Sequence, residues 1–303
     1  MNELSRRDFM KCTAGSVAAG LAAVATDAAG AAGAAAYATP AATTIRTIGK
    51  TGLKCSLLGM GTGMHGWKGQ SDLTRKGRDV FMAVLERAYS QGITYYDLAD
   101  QYGSHDYVRE ALTTFMDRDK VMILTKSWSR DPDELRTHVE RFRKELGVDQ
   151  LDIVLLHCVR EEDGPNWPEK LKACRDVLSE AQDKGVIKAK GCSCHSLERL
   201  KEAAGSPWVD VILARINPFG VKMDGPPEEV LPVLKKAHDA GKGILGMKIA
   251  GEGELKDKIP ESMRFALQSG CVDAMPIGFL DVSEVDSAIA HLDAAASAAV
   301  APA

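Results

Sequence analysis

Short apolar runs and longer amphipathic stretches alternate along this chain from Ser56 to about Leu292. The apolar runs end at Met60, Asp97, Lys126, His157, Ser193, Ile216, Lys248 and Gly278, which predicts strands. Each is followed by a stretch with helical periodicity, at 79–91, 107–116, 132–146, 169–184, 197–204, 228–240, 261–269 and 283–292. In the first of these, Val80, Val84, Leu85 and Ala88 share one face. Gly92, Gly147, Gly185, Gly241 and Gly270 stand just past five of the helices, where a closing glycine is favoured. Asp131-Pro132 reads as an N-cap with proline at the first helical position.

Eight strand–helix alternations imply parallel strands with right-handed crossovers, and eight strands close a barrel. The expected fold class is α/β, a (β/α)₈ TIM barrel. An open doubly wound sheet would place a glycine-rich phosphate loop and a helix directly after its first strand. Gly59-Met60-Gly61-Thr62-Gly63 is instead followed by Met64-His65-Gly66-Trp67. Ahead of the first strand, 44–48 and 53–55 flank Gly49-Lys50-Thr51-Gly52, which reads as an N-terminal β-hairpin able to plug the bottom of the barrel. The Ala/Ser-rich tail from Ala294 to Ala303 is expected to fray.

The ends of the chain add an address. Ser5-Arg6-Arg7-Asp8-Phe9-Met10-Lys11 has the form of a twin-arginine export signal. A mildly apolar run from Ala14 to about Ala25 is too short and weak for a membrane span, and Ala36-Tyr37-Ala38 fits a cleavage site. The expected organisation is a twin-arginine signal peptide over 1–38 and a barrel domain over 39–303. The expected location is periplasmic or extracellular, with the twin-arginine translocase as a partner and no stable membrane anchor. The remaining length suits one barrel of ~250 residues. The net charge of −4 offers nothing to nucleic acid or anionic lipid. Cys158, Cys192 and Cys194 lie at predicted strand ends and Cys55 near a strand start, so mostly free thiols are expected rather than a disulfide framework.

Candidate chemistry gathers on three consecutive units. Asp97, Lys126 and His157 end apolar runs, and Tyr102 follows the first of them. An ionisable group at the end of a buried strand is costly without a partner. In a parallel barrel those ends converge on the face where active sites are built. His65, Trp67 and Trp128 fall in loops on the same face and are candidates for a substrate wall. His138, His238 and the run Glu161-Glu162-Asp163 read as solvated.

Tyr96-Asp97-Leu98-Ala99-Asp100-Gln101-Tyr102-Gly103 resembles the Asp-x-Ala-x-x-Tyr-Gly signature of the aldo-keto reductases. The resemblance extends from Thr44 to about Leu292. It takes in the hairpin from Arg46 to Leu53, Thr125-Lys126 and Leu156-His157. It implies that Asp97, Tyr102, Lys126 and His157 form a catalytic tetrad acting on a small carbonyl or alcohol with NAD(P)H. Tyr102 would supply the proton, Lys126 held by Asp97 would lower the Tyr102 pKa, and His157 would orient the carbonyl oxygen by a hydrogen bond. The resemblance also implies a cofactor cradle at Ser193, Cys194, Asn217, Lys248, Gly278 and Asp281. That cradle departs from the family pattern. Ser193-Cys194 replaces the usual Ser-Asn, and Leu213 stands where Gln is frequent. Met247-Lys248 replaces an aromatic ring, and Asp281 and Glu284 occupy a loop that usually carries basic residues.

Two other functions fit the residues less well. A metal site could draw on Asp97, His157, Lys126, Cys192, Cys194 and His195, but the His-x-His pair that metal-dependent barrel hydrolases carry after strand 1 is missing. A non-catalytic ligand-binding barrel with a degenerate nicotinamide site would have no use for Tyr102 and Lys126.

Overall fold

The computed structural model describes residues 41–300. The predicted leader over 1–38 lies outside them. A hairpin opens the described chain: β1 (Ile45–Thr47) pairs antiparallel with β2 (Lys54–Ser56). Eight parallel strands follow: β3 (Leu58–Gly61), β4 (Tyr95–Asp97), β5 (Met122–Ser127), β6 (Leu151–Val159), β7 (Ile187–Cys194), β8 (Val211–Arg215), β9 (Gly243–Met247) and β10 (Met275–Gly278). They run in sequence order, β10 pairs with β3, and a parallel bridge between Leu245 and Ala274 joins β9 to β10. The sheet therefore comes round on itself, as a TIM barrel does, and the open doubly wound alternative is excluded.

The helices are α1 (Asp72–Arg75), α2 (Arg78–Ser90), α3 (His105–Thr114), α4 (Pro132–Leu146), α5 (Trp167–Lys170), α6 (Lys172–Asp183), α7 (Leu197–Gly205), α8 (Pro227–Asp239), α9 (Ile259–Gln268) and α10 (Val282–Val300). Asp131 caps α4 by accepting from the Asp133 and Glu134 N–H groups, and Gly147 closes it in the left-handed region at φ 68°. The other four predicted closing glycines also adopt positive φ. The helix expected over 169–184 divides at Leu171 into α5 and α6. The tail does not fray where expected. Alanine favours helix, and α10 continues to Val300 with Leu292 and Ala295 buried. Asp293 ties it down by accepting the Ala42 N–H at 3.0 Å.

Strand alternation divides the core in two. Tyr95, Met122, Leu124, Ile153, Leu155, Ala189, Val211, Leu213 and Leu245 fill the barrel interior, closed below by Ile48 and Cys55 of the hairpin. Their neighbours Tyr96, Ile123, Val154, Leu156, Cys192, Ile212 and Ile244 pack outward against the helices. The hairpin is thus the plug the sequence predicts: Ile48 is fully buried and the Lys50 N–H reaches Gly241 O at 2.9 Å. The same period of two continues up each strand. Asp97, Lys126, His157, Ser193 and Arg215 share the parity of the interior residues and so arrive together at the C-terminal mouth.

Candidate active site

At that mouth the four signature residues meet. Lys126 is buried, ion-paired to Asp97 and donates to Leu98 O at 2.7 Å. Its ammonium lies 5.1 Å from the centre of the Tyr102 ring. Tyr102 Oη lies 3.4 Å from His157 Nε2. The segment between Asp97 and Tyr102 is tied to the next strand, because Leu98 and Asp100 N–H groups donate to Leu124 O and Lys126 O. The glycines of the loop after β3 serve this tyrosine. A Cβ on Gly63 would stand 2.1 Å from the Tyr102 ring, and one on Gly66 2.3 Å, so only hydrogen fits at both.

Burial dominates the electrostatics of the phenol. Burial pushes the Tyr102 phenol well above its usual range, and the Asp97 carboxylate adds to that push. Lys126 is ion-paired to Asp97, so its charge opposes that push only in part. Tyr102 is therefore a neutral O–H at ordinary pH, the form a proton donor needs. Burial also lowers His157, to about 4, although Asp100 opposes the shift, so the imidazole is neutral.

The strand carrying His157 does not end there. β6 runs on to Val159 through a bulge, with Cys158 held at φ 54°. Ser193 Oγ accepts the Cys158 N–H at 2.8 Å and so fixes that bulge. Arg130 Nη2 donates to His157 O at 2.9 Å and to Cys158 O at 3.2 Å. Asp163 grips Arg130 in turn, at 2.6 Å from Nε and 3.1 Å from Nη2. Asp163 is thus an anchor and not the solvated loop residue expected. His138 is likewise engaged, 2.8 Å from Ser127 Oγ, and His238 Nε2 lies 3.4 Å from Asp273. An aromatic wall flanks His157: Trp128 sits edge-on to it at 5.3 Å, and exposed Trp67 sits edge-on to Trp128 at 5.8 Å.

A pocket of about 100 Å³ opens against Asp97 and Tyr102 and follows residues 247–253 to the end of β10 at Gly278. Lys248 and Gly278, both predicted cradle residues, line it. Lys248 Nζ is 2.6 Å from Glu252. The other cradle residues are placed differently. Cys194 faces the helical shell, its Sγ 3.7 Å from that of Cys192, because it has the outward parity of β7. Asn217 is buried and its amide is consumed in its own loop, donating to Val221 O and Lys248 O and accepting from the Phe219 and Val221 N–H groups. Asp281 is exposed at the start of α10, accepting from the Glu284 N–H at 3.1 Å and the Ser283 hydroxyl at 2.6 Å. The six cysteines of the described residues are all buried free thiols. Among those residues no three His, Cys, Asp or Glu side chains converge as metal ligands.

One cluster escaped the sequence reading. Arg215 ends β8 and its guanidinium donates to His195 Nδ1, while His195 Nε2 lies 3.2 Å from Cys158 Sγ. Burial, with Arg215 beside it, lowers His195 to about 2, and burial raises Cys158 to about 11. The signal was available: Arg215 ends an apolar run, the same pattern that singled out Lys126.

Comparison with known proteins agrees with this geometry. The aldo/keto reductase family profile matches residues 57–271. The chain belongs to that family. Over 140 residues it is 30% identical to pyridoxine 4-dehydrogenase of Escherichia coli, covering 42% of this chain and 48% of that protein. Over 178 residues it is 26% identical to glycerol 2-dehydrogenase (NADP(+)) of Saccharomyces cerevisiae, covering 52% and 54%. The chain therefore spans about half the length of these relatives. Aldo-keto reductase AKR11C1 from Bacillus halodurans, in its holo form, superposes with a TM-score of 0.66 at 18% identity, over 82% of this chain and 91% of that one.

Proposed function

We propose that this protein interconverts a small carbonyl compound and its alcohol with NAD(P)H, Tyr102 being the proton donor. The observation that carries this reading is the meeting of Tyr102 Oη with His157 Nε2 beside the buried Lys126–Asp97 pair, on the wall of a pocket. The far end of the pocket is a loop with positive φ at Lys248, Gly251, Glu252 and Gly253, in which the Gly251 and Gly253 N–H groups donate to Lys248 O and Ala250 O and Lys248 brings a cation to the pocket wall. Lys248 and the backbone of 249–253 would hold the cofactor, with Gly278 leaving room at the strand end. When bound, a reduced nicotinamide supplies the hydride for the carbonyl carbon. Tyr102 then gives its Oη proton to the carbonyl oxygen, and burial keeps that proton in place until it is needed. Lys126, neutralised by Asp97, faces the ring that becomes a phenolate and offsets its charge. Trp128 and Trp67 form the wall against which the substrate rests.

Asp281 and Glu284 stand where a basic pair would recognise a 2′-phosphate, and a carboxylate there accepts from a free ribose hydroxyl instead. We therefore propose NAD as the preferred cofactor. The test is fluorescence titration of the purified protein with NADH and with NADPH, followed by turnover on a panel of aldehydes, ketones and sugars. NADH should bind at least as tightly as NADPH. Tight NADPH binding with no NADH binding overturns the preference, and binding of neither favours a non-catalytic barrel.

We also propose export by the twin-arginine route. Arg6 and Arg7 support it, and replacing both with Lys should leave an uncleaved precursor in the cytoplasm. Normal appearance of mature protein outside overturns it.

A further inference from the structure

Two polar atoms of the site are buried without a hydrogen-bond partner, and they face each other. Asp100 Oδ1 and His157 Nδ1 stand 3.8 Å apart. Buried polar atoms are rarely left in this state without a reason. The other carboxylate oxygen is fixed, since Asp100 Oδ2 accepts the Trp128 N–H at 2.9 Å. His138 lies 3.9 Å away on that second oxygen and is engaged with Ser127. The carboxylate is therefore anchored at one end and aims its free oxygen at the catalytic imidazole.

We propose that Asp100 is a positioning residue that holds the His157 proton on Nδ1, leaving Nε2 as an acceptor for the Tyr102 hydroxyl. The inference rests on the reading of Tyr102 as proton donor. An ionised carboxylate only accepts, so its charge favours the proton on the nitrogen that faces it. Asp100 is ionised: burial pushes its carboxyl up, but the His157 and Trp128 contacts more than offset this and hold it below the usual range. His157 is neutral and has one N–H to place. The other charges acting on the imidazole, Lys126 and Asp97, are paired with each other. Placing the proton on Nε2 would set a lone pair against a buried negative charge, so Nδ1–H is the lower state.

The consequence differs from what the family resemblance implies. His157 in this tautomer cannot donate to a carbonyl oxygen. It accepts instead, first from Tyr102 Oη, which lies 3.4 Å from Nε2, and then from the hydroxyl of the alcohol formed. During reduction the Tyr102 hydroxyl turns from Nε2 to the carbonyl oxygen, its O–H bond breaks as the proton passes to that oxygen while the hydride electrons reach the carbon, and no covalent bond to His157 is made or broken. Asp100 thus acts through the imidazole to aim the phenol.

The tautomer can be read directly. Long-range ¹H–¹⁵N correlation on ¹⁵N-histidine-labelled protein near neutral pH distinguishes the two nitrogens, and His157→Gln assigns the signal among the seven histidines. The wild type should show a protonated Nδ1 and a bare Nε2. Asp100→Asn can keep the Trp128 contact through its oxygen and turn its NH₂ toward His157. It should move the proton to Nε2 and lower kcat ~10²-fold with cofactor affinity unchanged. A wild-type proton on Nε2 overturns the proposal, as does an Asp100→Asn enzyme with a switched tautomer and full kcat. If the variant does not fold, the wild-type spectrum alone decides. The spectrum is independent of turnover, so failure of the wild type on every carbonyl would overturn the proposed reaction and leave the tautomer result standing.

Discussion

In the proposed reaction a single phenol sets the chemistry, and its environment predicts how it responds to substitution. Tyr102→Phe removes the transferable proton while keeping the ring against Gly63 and Gly66. Turnover should fall ~10²–10⁴-fold with near-normal cofactor affinity, and unchanged turnover of a verified substrate would exclude the role. Tyr102 stays protonated through neutral pH, so its own titration leaves the reduction rate flat there, whereas alcohol oxidation needs the scarce phenolate and should rise with pH. Charge removal separates the partners of this pair. Lys126→Met leaves a buried Asp97 carboxylate facing Tyr102 and should move the phenol's titration further up. Asp97→Asn removes the charge that raises Tyr102 and should move it down, even though the sequence alone suggests the same direction for both. The pH–rate profile of alcohol oxidation reads both shifts, and identical profiles would exclude the coupling. The identities of Asp97, Tyr102, Lys126 and His157 were legible because each interrupts or follows an apolar run. Their electrostatics were not, because the sequence does not show how deeply Tyr102 and His157 are buried, and burial is the largest influence on both.

Helices and strands were legible wherever a local signal stood at both ends. Asp131-Pro132 and Gly147 bracket α4, and its bounds match the sequence reading residue for residue. The errors arose where tertiary contacts overrode local pattern. The bulge that extends β6 past His157 is held by Ser193 from the next strand and Arg130 from the preceding loop, neither visible in the run Leu151–Val159. Gly63 belonged to a cluster that looked like a weak phosphate-binding motif, yet there the Tyr102 ring lies against it, as it does against Gly66. Gly63→Ala should displace that ring and lower kcat by an amount approaching that of Tyr102→Phe, with the thermal midpoint changed little if the loop yields. Full activity with an unchanged structure would show that the contact is dispensable. On the same mouth, just after β10, Asp281 caps α10, so Asp281→Ala should cost ~0.5–2 kcal/mol of stability, measurable by urea denaturation.

Across the whole molecule, the alternation of strand parity delivers interior packing at the bottom and polar chemistry at the top of one continuous barrel. That arrangement buries histidines beside the site, and burial has a pH signature. His157 and His195 are lowered to about 4 and about 2 in the folded state, against ~6.5 when unfolded. Below ~6.5 the unfolded chain takes up protons that the native state refuses, so stability is lost as pH falls from there through 4. Asp224 works the other way. Its carboxyl is raised by burial to about 6 from 3.8, so between those values the native state holds one proton that the unfolded chain releases. Two histidines against one carboxyl leave a net loss over that span. On the alkaline side, Cys158 is raised by burial to about 11 from 9.0, so stability falls again above 9. The expected profile is a plateau between ~6.5 and 9 with a decline on each side. Urea midpoints measured from pH 4 to pH 10 test it. His195→Gln, which removes the more strongly lowered imidazole, should flatten the acid limb. A midpoint that rises on acidification from pH 7 to pH 5, or an acid limb unchanged in that variant, would show that the buried imidazoles do not govern the response.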